Sequence, residues 1–258
     1  MKTSNCLILK QMDFKEKDKL ITFLDCESGK KSGLIFGAKS LKSRHLSSSE
    51  PFSHVRLVYQ EHPARELVQI KNCDLLESYP GLRQNYNKFL YACYVSELVL
   101  ACKFPESEAR IYYDLLRQSY SDLQSEGHES LIKLLFEIRL LELLGISPNL
   151  SQCIKCDKQL WKQSTIFPAV FFHDKHQLDA SEGGVRCPSC ITGNDQAIWI
   201  SAGTLSYLKH ITSLVKPMES TVKATAQNLS ELNQALSVYL NHHLETQLQS
   251  HKLLKIQT

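Results

Sequence analysis

The chain has 258 residues, 43% of them apolar and 22% charged, with a formal net charge of +3. That is ordinary globular usage, which excludes fibrous and intrinsically disordered classes and leaves room for two domains. The stretch 1–19 has only the short apolar run 6–9 before charged residues, so it reads as neither a signal peptide nor a spanning helix; a cytoplasmic protein with no membrane association is expected.

From residue 5 to residue 77 the sequence alternates short β-rich runs with polar or glycine punctuation, at 5–11, 20–25, 33–38, 54–60 and 67–74. Five such runs predict a small closed barrel, with the oligonucleotide-binding (OB) fold preferred over an SH3-like barrel because one connection, 39–52, is long and polar. Glu27-Ser28-Gly29-Lys30 supplies a glycine-bearing hairpin turn. Residues 1–80 carry 13 Lys+Arg against 10 Asp+Glu, and the stretch from Ser28 to Ser49 holds Lys30, Lys31, Lys39, Lys42 and Arg44 with no acid. Several cations on one edge of a barrel suit the spaced phosphates of nucleic acid, so these five are the candidate DNA-binding residues; a charge run is more often a plain solvated face. Phe36 and Tyr59 are aromatic residues that a barrel can offer to bases, but apolar side chains on barrel strands usually face the core, and both are expected there.

Pro80-Gly81 marks a domain boundary, separating 1–80 from 81–258. Beyond it the apolar period changes from two to about 3.6 residues, predicting helices over 86–101, 106–123 and 129–144, with Gly145 as the residue closing the last and Pro148 beyond it. Later helices are predicted over 201–214 and 228–248, the second with Asn228 as N-cap and Glu231 at capping-box spacing.

Between these helices, over 151–192, lies the strongest chemical signal. Cys153-Ile-Lys-Cys156 and Cys187-Pro-Ser-Cys190 are two C-x-x-C pairs thirty residues apart, a spacing at which two knuckles present four thiolates to one tetrahedral zinc ion. Four sulfurs leave no open coordination position, which predicts one structural Zn2+ per chain. Lys155 and Arg186 are expected to favour the thiolates. Disulfides are disfavoured in a reducing compartment, and a redox C-x-x-C lacks its strand-then-helix setting. The intervening stretch reads as a β-hairpin, in which His173 and His176 are alternative ligands, though histidines in polar turns are usually solvated. Cys6, Cys26, Cys73, Cys93 and Cys102 sit singly in apolar stretches as small buried hydrophobes. No phosphate-binding P-loop, H-E-x-x-H, G-x-S-x-G or carboxylate metal cluster occurs, so a binding protein is expected and not an enzyme. A zinc-containing nucleic-acid-modifying enzyme and a pure interaction adaptor are the alternatives.

In their order along the chain, these features resemble the bacterial RecO family of DNA repair proteins. The resemblance rests on Glu16-Lys17-Asp18-Lys19-Leu20, Gly29-Lys30, Gly37-Ala38-Lys39 and Pro51-Phe52 in the first part. It continues with the stretch from Leu140 through Gly145 and Pro148 to Cys156, with Gly183-Gly184-Val185-Arg186-Cys187, and with His242-His243-Leu244 near the end. It implies an α+β multidomain protein, an N-terminal OB-fold β-barrel followed by an α-helical domain with the embedded four-cysteine zinc module. It further implies a recombination mediator that binds single- and double-stranded DNA, anneals complementary strands, and loads RecA with RecR and the C-terminal tail of the single-strand-binding protein.

Overall fold

The computed structural model describes residues 1–39, 48–125, 128–160, 175–191, 193, 198–213, 223–244 and 248–254. Lys42, Arg44 and His173 therefore lie outside the described residues, as does the first half of the hairpin predicted between the cysteine pairs. The chain divides into two compact units, residues 1–132 with 248–258, and residues 133–247.

In the first unit, strands β1 (Lys2–Phe14), β2 (Asp18–Asp25), β3 (Gly29–Ile35), β4 (His54–His62) and β5 (Arg65–Glu77) close a barrel in the order β1-β2-β3-β5-β4. β3 runs parallel to β5 and every other pair is antiparallel. This is the OB fold, and β-branched and aromatic residues fill it: Ile8, Ile21, Phe23, Ile35, Val55, Leu57, Tyr59, Val68 and Ile70 form one buried cluster. One third-strand boundary departs from the sequence expectation. The strand begins at Gly29, where φ is +73°, and ends before Gly37, where φ is +66°. Lys30 and Lys31 therefore sit on β3 instead of in the turn before it. The turn itself is tied by Asp25, whose buried carboxylate accepts from the Glu27 N–H (2.8 Å), the Ser28 N–H (3.0 Å) and the Tyr59 hydroxyl (2.7 Å). Burial opposes the charge, yet these donors outweigh it and hold the carboxyl below its ordinary range.

Tyr59 is buried as expected, whereas Phe36, one residue past the end of β3, is 54% exposed. Alternation explains the difference: Ile35 takes the inward position and its successor must point outward.

The same unit carries α1 (Pro80–Gln84), α2 (Tyr86–Ala101), α3 (Ala109–Gln124) and α7 (Gln249–Leu254). Asn85 caps α2 by accepting from the N–H groups of Asn87 and Lys88. The second predicted helix start, at 106, is a 3-10 turn, Glu106–Glu108, with the α-helix beginning at Ala109. Phe52 joins the helices to the barrel, its ring edge-on to Phe89 (5.5 Å) and Tyr120 (5.7 Å). The helix expected over 228–248 is α6, and a further helix, α7, lies beyond that range. α6 ends at Leu244, and α7 begins where Glu97 of α2 accepts from the N–H groups of Gln249 (2.7 Å) and Ser250 (2.9 Å), an acid at a helix N-terminus.

The second unit contains most of α4 (Glu129–Leu143), α5 (Ala202–Ser213), α6 (Ala226–Leu244) and a four-stranded sheet. α4 closes as expected at Gly145. With φ +67°, its N–H donates to Glu142 O and that of Ile146 to Leu141 O, the paired bonds of a Schellman motif. The start of α6 differs from expectation. Thr225 is the cap, and it exchanges bonds with Asn228: the Thr225 hydroxyl accepts from the Asn228 N–H (3.1 Å), and Asn228 Oδ1 accepts from the Thr225 N–H (3.0 Å). Glu231, freed from a capping role, accepts from the Ser201 N–H at 2.8 Å. Buried Lys133 links α4 to α6, bonding Glu137 (2.8 Å) and Asn233 (3.0 Å). Among the described residues no helix is long and apolar enough to cross a membrane.

Candidate metal centre and nucleic-acid interface

The four cysteines predicted as ligands come together. β6 (Asn149–Cys153), β7 (Lys175–Asp179), β8 (Gly184–Arg186) and β9 (Ile198–Ser201) form a sheet in the order β6-β8-β7-β9. Cys153 ends β6 and Cys187 follows β8, and these two strands are neighbours. Close approach of the two depends on Gly184, where a Cβ would meet Ile154 Cγ2 at 2.5 Å and Asn149 O at 2.9 Å.

Each pair turns tightly. Asp157, at φ +55°, donates its N–H to Cys153 O (2.9 Å), and Cys190 donates to Cys187 O (2.9 Å). The four sulfurs lie within 4.8 Å of one another, and Cys156 Sγ is 3.8 Å from Cys187 Sγ. An ion held by four sulfurs at about 2.3 Å has tetrahedral edges of about 3.8 Å. The donor set therefore fits a metal ion, with Cys153 and Cys187 buried, Cys190 partly buried and Cys156 exposed.

Lys155 Nζ pairs with Glu182 (2.7 Å), and Arg186 pairs with Asp179 (2.6 Å) and Glu182 (3.3 Å). Burial raises the Cys153 thiol, but N–H groups of Cys187 (3.3 Å) and Lys155 (3.5 Å) point at its sulfur and bring it down to about 6. Hydrogen bonds from Cys156 and then Cys187 push Cys190 up to about 12. His176 lies on β7 and is buried; the described group of metal-ligating side chains consists of the four cysteines.

The candidate nucleic-acid residues among those described occupy three settings. Lys30 reaches the end of α2, donating to Leu100 O (2.9 Å) and Cys102 O, with its ammonium 5.1 Å from the Phe104 ring centroid. That is a cation at a helix C-terminus, and its burial lowers the lysine's pKa. Lys31 pairs with Glu61 (3.0 Å) and lies in a surface groove of about 730 Å3, where Thr22, Ser32, His62 and Arg65 also converge. Lys39 lies at the opposite end of β3, bonded to Asp13 (2.9 Å) and to Lys15 O (3.3 Å). The groove residues His62 and Arg65 come from the β4–β5 hairpin; nothing in the local sequence marks them, because the groove exists only once β3 and β5 are paired.

Comparison with known proteins agrees with this architecture. The model of the "Recombination protein O N terminal" family matches residues 1–79, and that of "Recombination protein O C terminal" matches residues 83–252. A protein named DNA repair protein RecO from Symbiobacterium thermophilum is 28% identical over 252 residues, covering 96% of this chain and 94% of that protein. Its namesake from Syntrophus aciditrophicus is 27% identical, covering 96% and 92%. Another, from Moorella thermoacetica, is 24% identical, covering 95% and 86%. Those names denote a DNA repair protein and name no catalytic reaction. With one family model laid on the barrel and the other on the helices and cysteine cluster, the chain belongs to the RecO family of DNA repair proteins.

Proposed function

We propose that this protein is a recombination mediator. In this reading it binds single- and double-stranded DNA, anneals complementary strands, and assists the loading of RecA with RecR on DNA covered by the single-strand-binding protein, whose C-terminal tail it contacts. The observation that carries the reading is the match of both family models, in order, to nearly the whole chain, on a barrel of the oligonucleotide-binding type. Residues 1–80 act as the nucleic-acid-binding domain and 81–258 as a helical domain with a zinc module at 151–192. The protein works in the bacterial cytoplasm, at the nucleoid.

Zn2+ is the ion that best suits a four-thiolate tetrahedron, and Cys153, Cys156, Cys187 and Cys190 hold it. Such an ion ties two distant stretches of chain together and offers no open position to a substrate. Lys30, Lys31, Lys39, Lys42 and Arg44 belong to the DNA-binding surface in two roles: Lys30 fixes β3 against α2, while the other four meet phosphates. At Lys31 and Lys39 a phosphate would replace a surface carboxylate partner, an exchange that costs little because exposed ion pairs contribute only about 0–1 kcal/mol.

Titration of the protein with unrelated single-stranded and duplex oligonucleotides at several salt concentrations tests the reading. Binding should be nearly independent of sequence and should fall steeply with salt, because each phosphate neutralised releases condensed counterion. Absent or salt-insensitive binding would favour an interaction adaptor that does not use DNA.

A further inference from the structure

The outer face of the barrel at the tip of β1 and β2 carries a row of apolar side chains that the core does not use. The strand register places Met12 beside Leu20 and Leu20 beside Leu34, with Phe14 opposite Asp18. Inward positions on the same strands belong to Ile21 and Ile35. The row therefore points away from the core, and Phe36 extends it one residue past the Lys19–Ile35 pair. Met12 is 51% exposed and Phe36 54%, with Phe14 half-buried.

A single exposed phenylalanine is ordinary on a protein surface. This one differs in three ways. It continues the outward row of β3; its turn is pinned; and exposed lysines stand on the neighbouring β1–β2 tip. The Gly37 N–H donates to Asp18 Oδ1 (2.9 Å) and the Lys39 N–H to Lys17 O (3.1 Å), which fixes the backbone on the C-terminal side of Phe36 against the β1–β2 tip. Lys10, Lys15 and Lys17 are exposed, and Lys15 Nζ stands 5.5 Å from the Phe14 ring centroid. Of the carboxylates there, Asp13 is paired with Lys39 and Asp18 accepts from Gly37, leaving Glu16, among the described residues, against the three exposed lysines.

We propose that Phe36, on the same outward face as Phe14 and Met12, is the stacking platform on which this barrel receives unpaired bases, and that it contributes to binding single-stranded and not duplex DNA. An exposed aromatic face with cations on the neighbouring strand tip fits a strand whose bases are splayed open and whose phosphates lie alongside. A duplex keeps its base faces stacked on one another and has nothing to give the ring. The proposal rests on the DNA-binding reading above and adds the residue that tells the two forms of DNA apart.

The test compares wild-type protein, Phe36→Ala and Phe36→Tyr for binding to a fluorescent oligothymidylate and to a duplex of equal length, each at several salt concentrations. Phe36→Ala should weaken single-strand binding roughly five- to a hundredfold, the usual range for one stacked base. Its salt slope should match that of wild type, because the variant neutralises as many phosphates as before. Duplex affinity should stay within about twofold, and Phe36→Tyr should retain wild-type single-strand binding. The melting temperature should not move, since the ring leaves no cavity. If Phe36→Ala binds single strands like wild type, or loses affinity equally for both forms, the platform assignment is overturned while DNA binding stands. If wild-type protein binds neither form, both readings fall together.

Discussion

Cys153→Ser and Cys187→Ser should each reduce bound zinc from about one equivalent per chain to a small fraction. These two positions end β6 and follow β8, so they are the buried anchors from the two arms of the cluster. A serine hydroxyl is not ionised near neutral pH and is a poor partner for a borderline-soft ion. Structural zinc in small domains contributes on the order of 10 kcal/mol of apparent folding free energy. Among the described residues, the ladder joining the cluster's two arms is slight: β6 and β8 pair in parallel with an irregular register, Asn149 with Gly184 and Cys153 with Val185. Limited proteolysis should therefore cut first between β6 and β9, at protease concentrations that leave the barrel intact. Cys93→Ser, at a half-buried cysteine of α2 outside the cluster, should leave metal content unchanged. Full metal content and unchanged protease resistance in both cluster variants would refute the assignment.

The second large effect concerns DNA. Replacing Lys39, Lys42 and Arg44 together by alanine should weaken binding to all sequences about equally and lower the log–log salt slope by roughly two to three units, given about 0.7–0.9 for each phosphate no longer neutralised. Lys30 is left in place in this variant because its ammonium holds the carbonyls at the end of α2, and removing it would perturb the fold as well as the surface. Zinc content and helical signal should be those of wild type. An unchanged slope in the folded variant would make this charge run an ordinary solvated face and move the DNA site to the groove around Lys31 and Arg65.

Much of this is legible in the residues because the relevant physics is local or fixed by spacing. Two C-x-x-C pairs specify a knuckle geometry wherever they occur, and the sulfurs do converge. Five β-rich runs specify the barrel, and Gly145 closes its helix in the way a left-handed residue must. The departures share a cause, which is that they depend on partners distant in sequence or on where an element stops. Phe36 reads as a core residue because composition cannot say which side of the last inward residue a strand ends on. Thr225 displaces Asn228 as the cap because two nearby capping candidates compete, and only the position of the helix start decides between them. α7 is absent from the sequence expectation, since nothing near residue 249 reveals that Glu97, some 150 residues earlier, supplies its N-terminal acceptor. The backbone N–H groups that lower the Cys153 thiol escape a sequence reading, because they point at the sulfur only once the two knuckles are folded together.

The most direct test of the mediator reading is the annealing of two complementary oligonucleotides, both coated with the cognate single-strand-binding protein, followed by the rise of energy transfer between their dyes. Sub-stoichiometric amounts of this protein should accelerate duplex formation at least tenfold over the coated strands alone, with the acceleration lost at high salt and in the Lys39, Lys42 and Arg44 triple variant. Annealing no faster than the coated strands achieve unaided, by a protein that binds both forms of DNA under the same conditions, would contradict it.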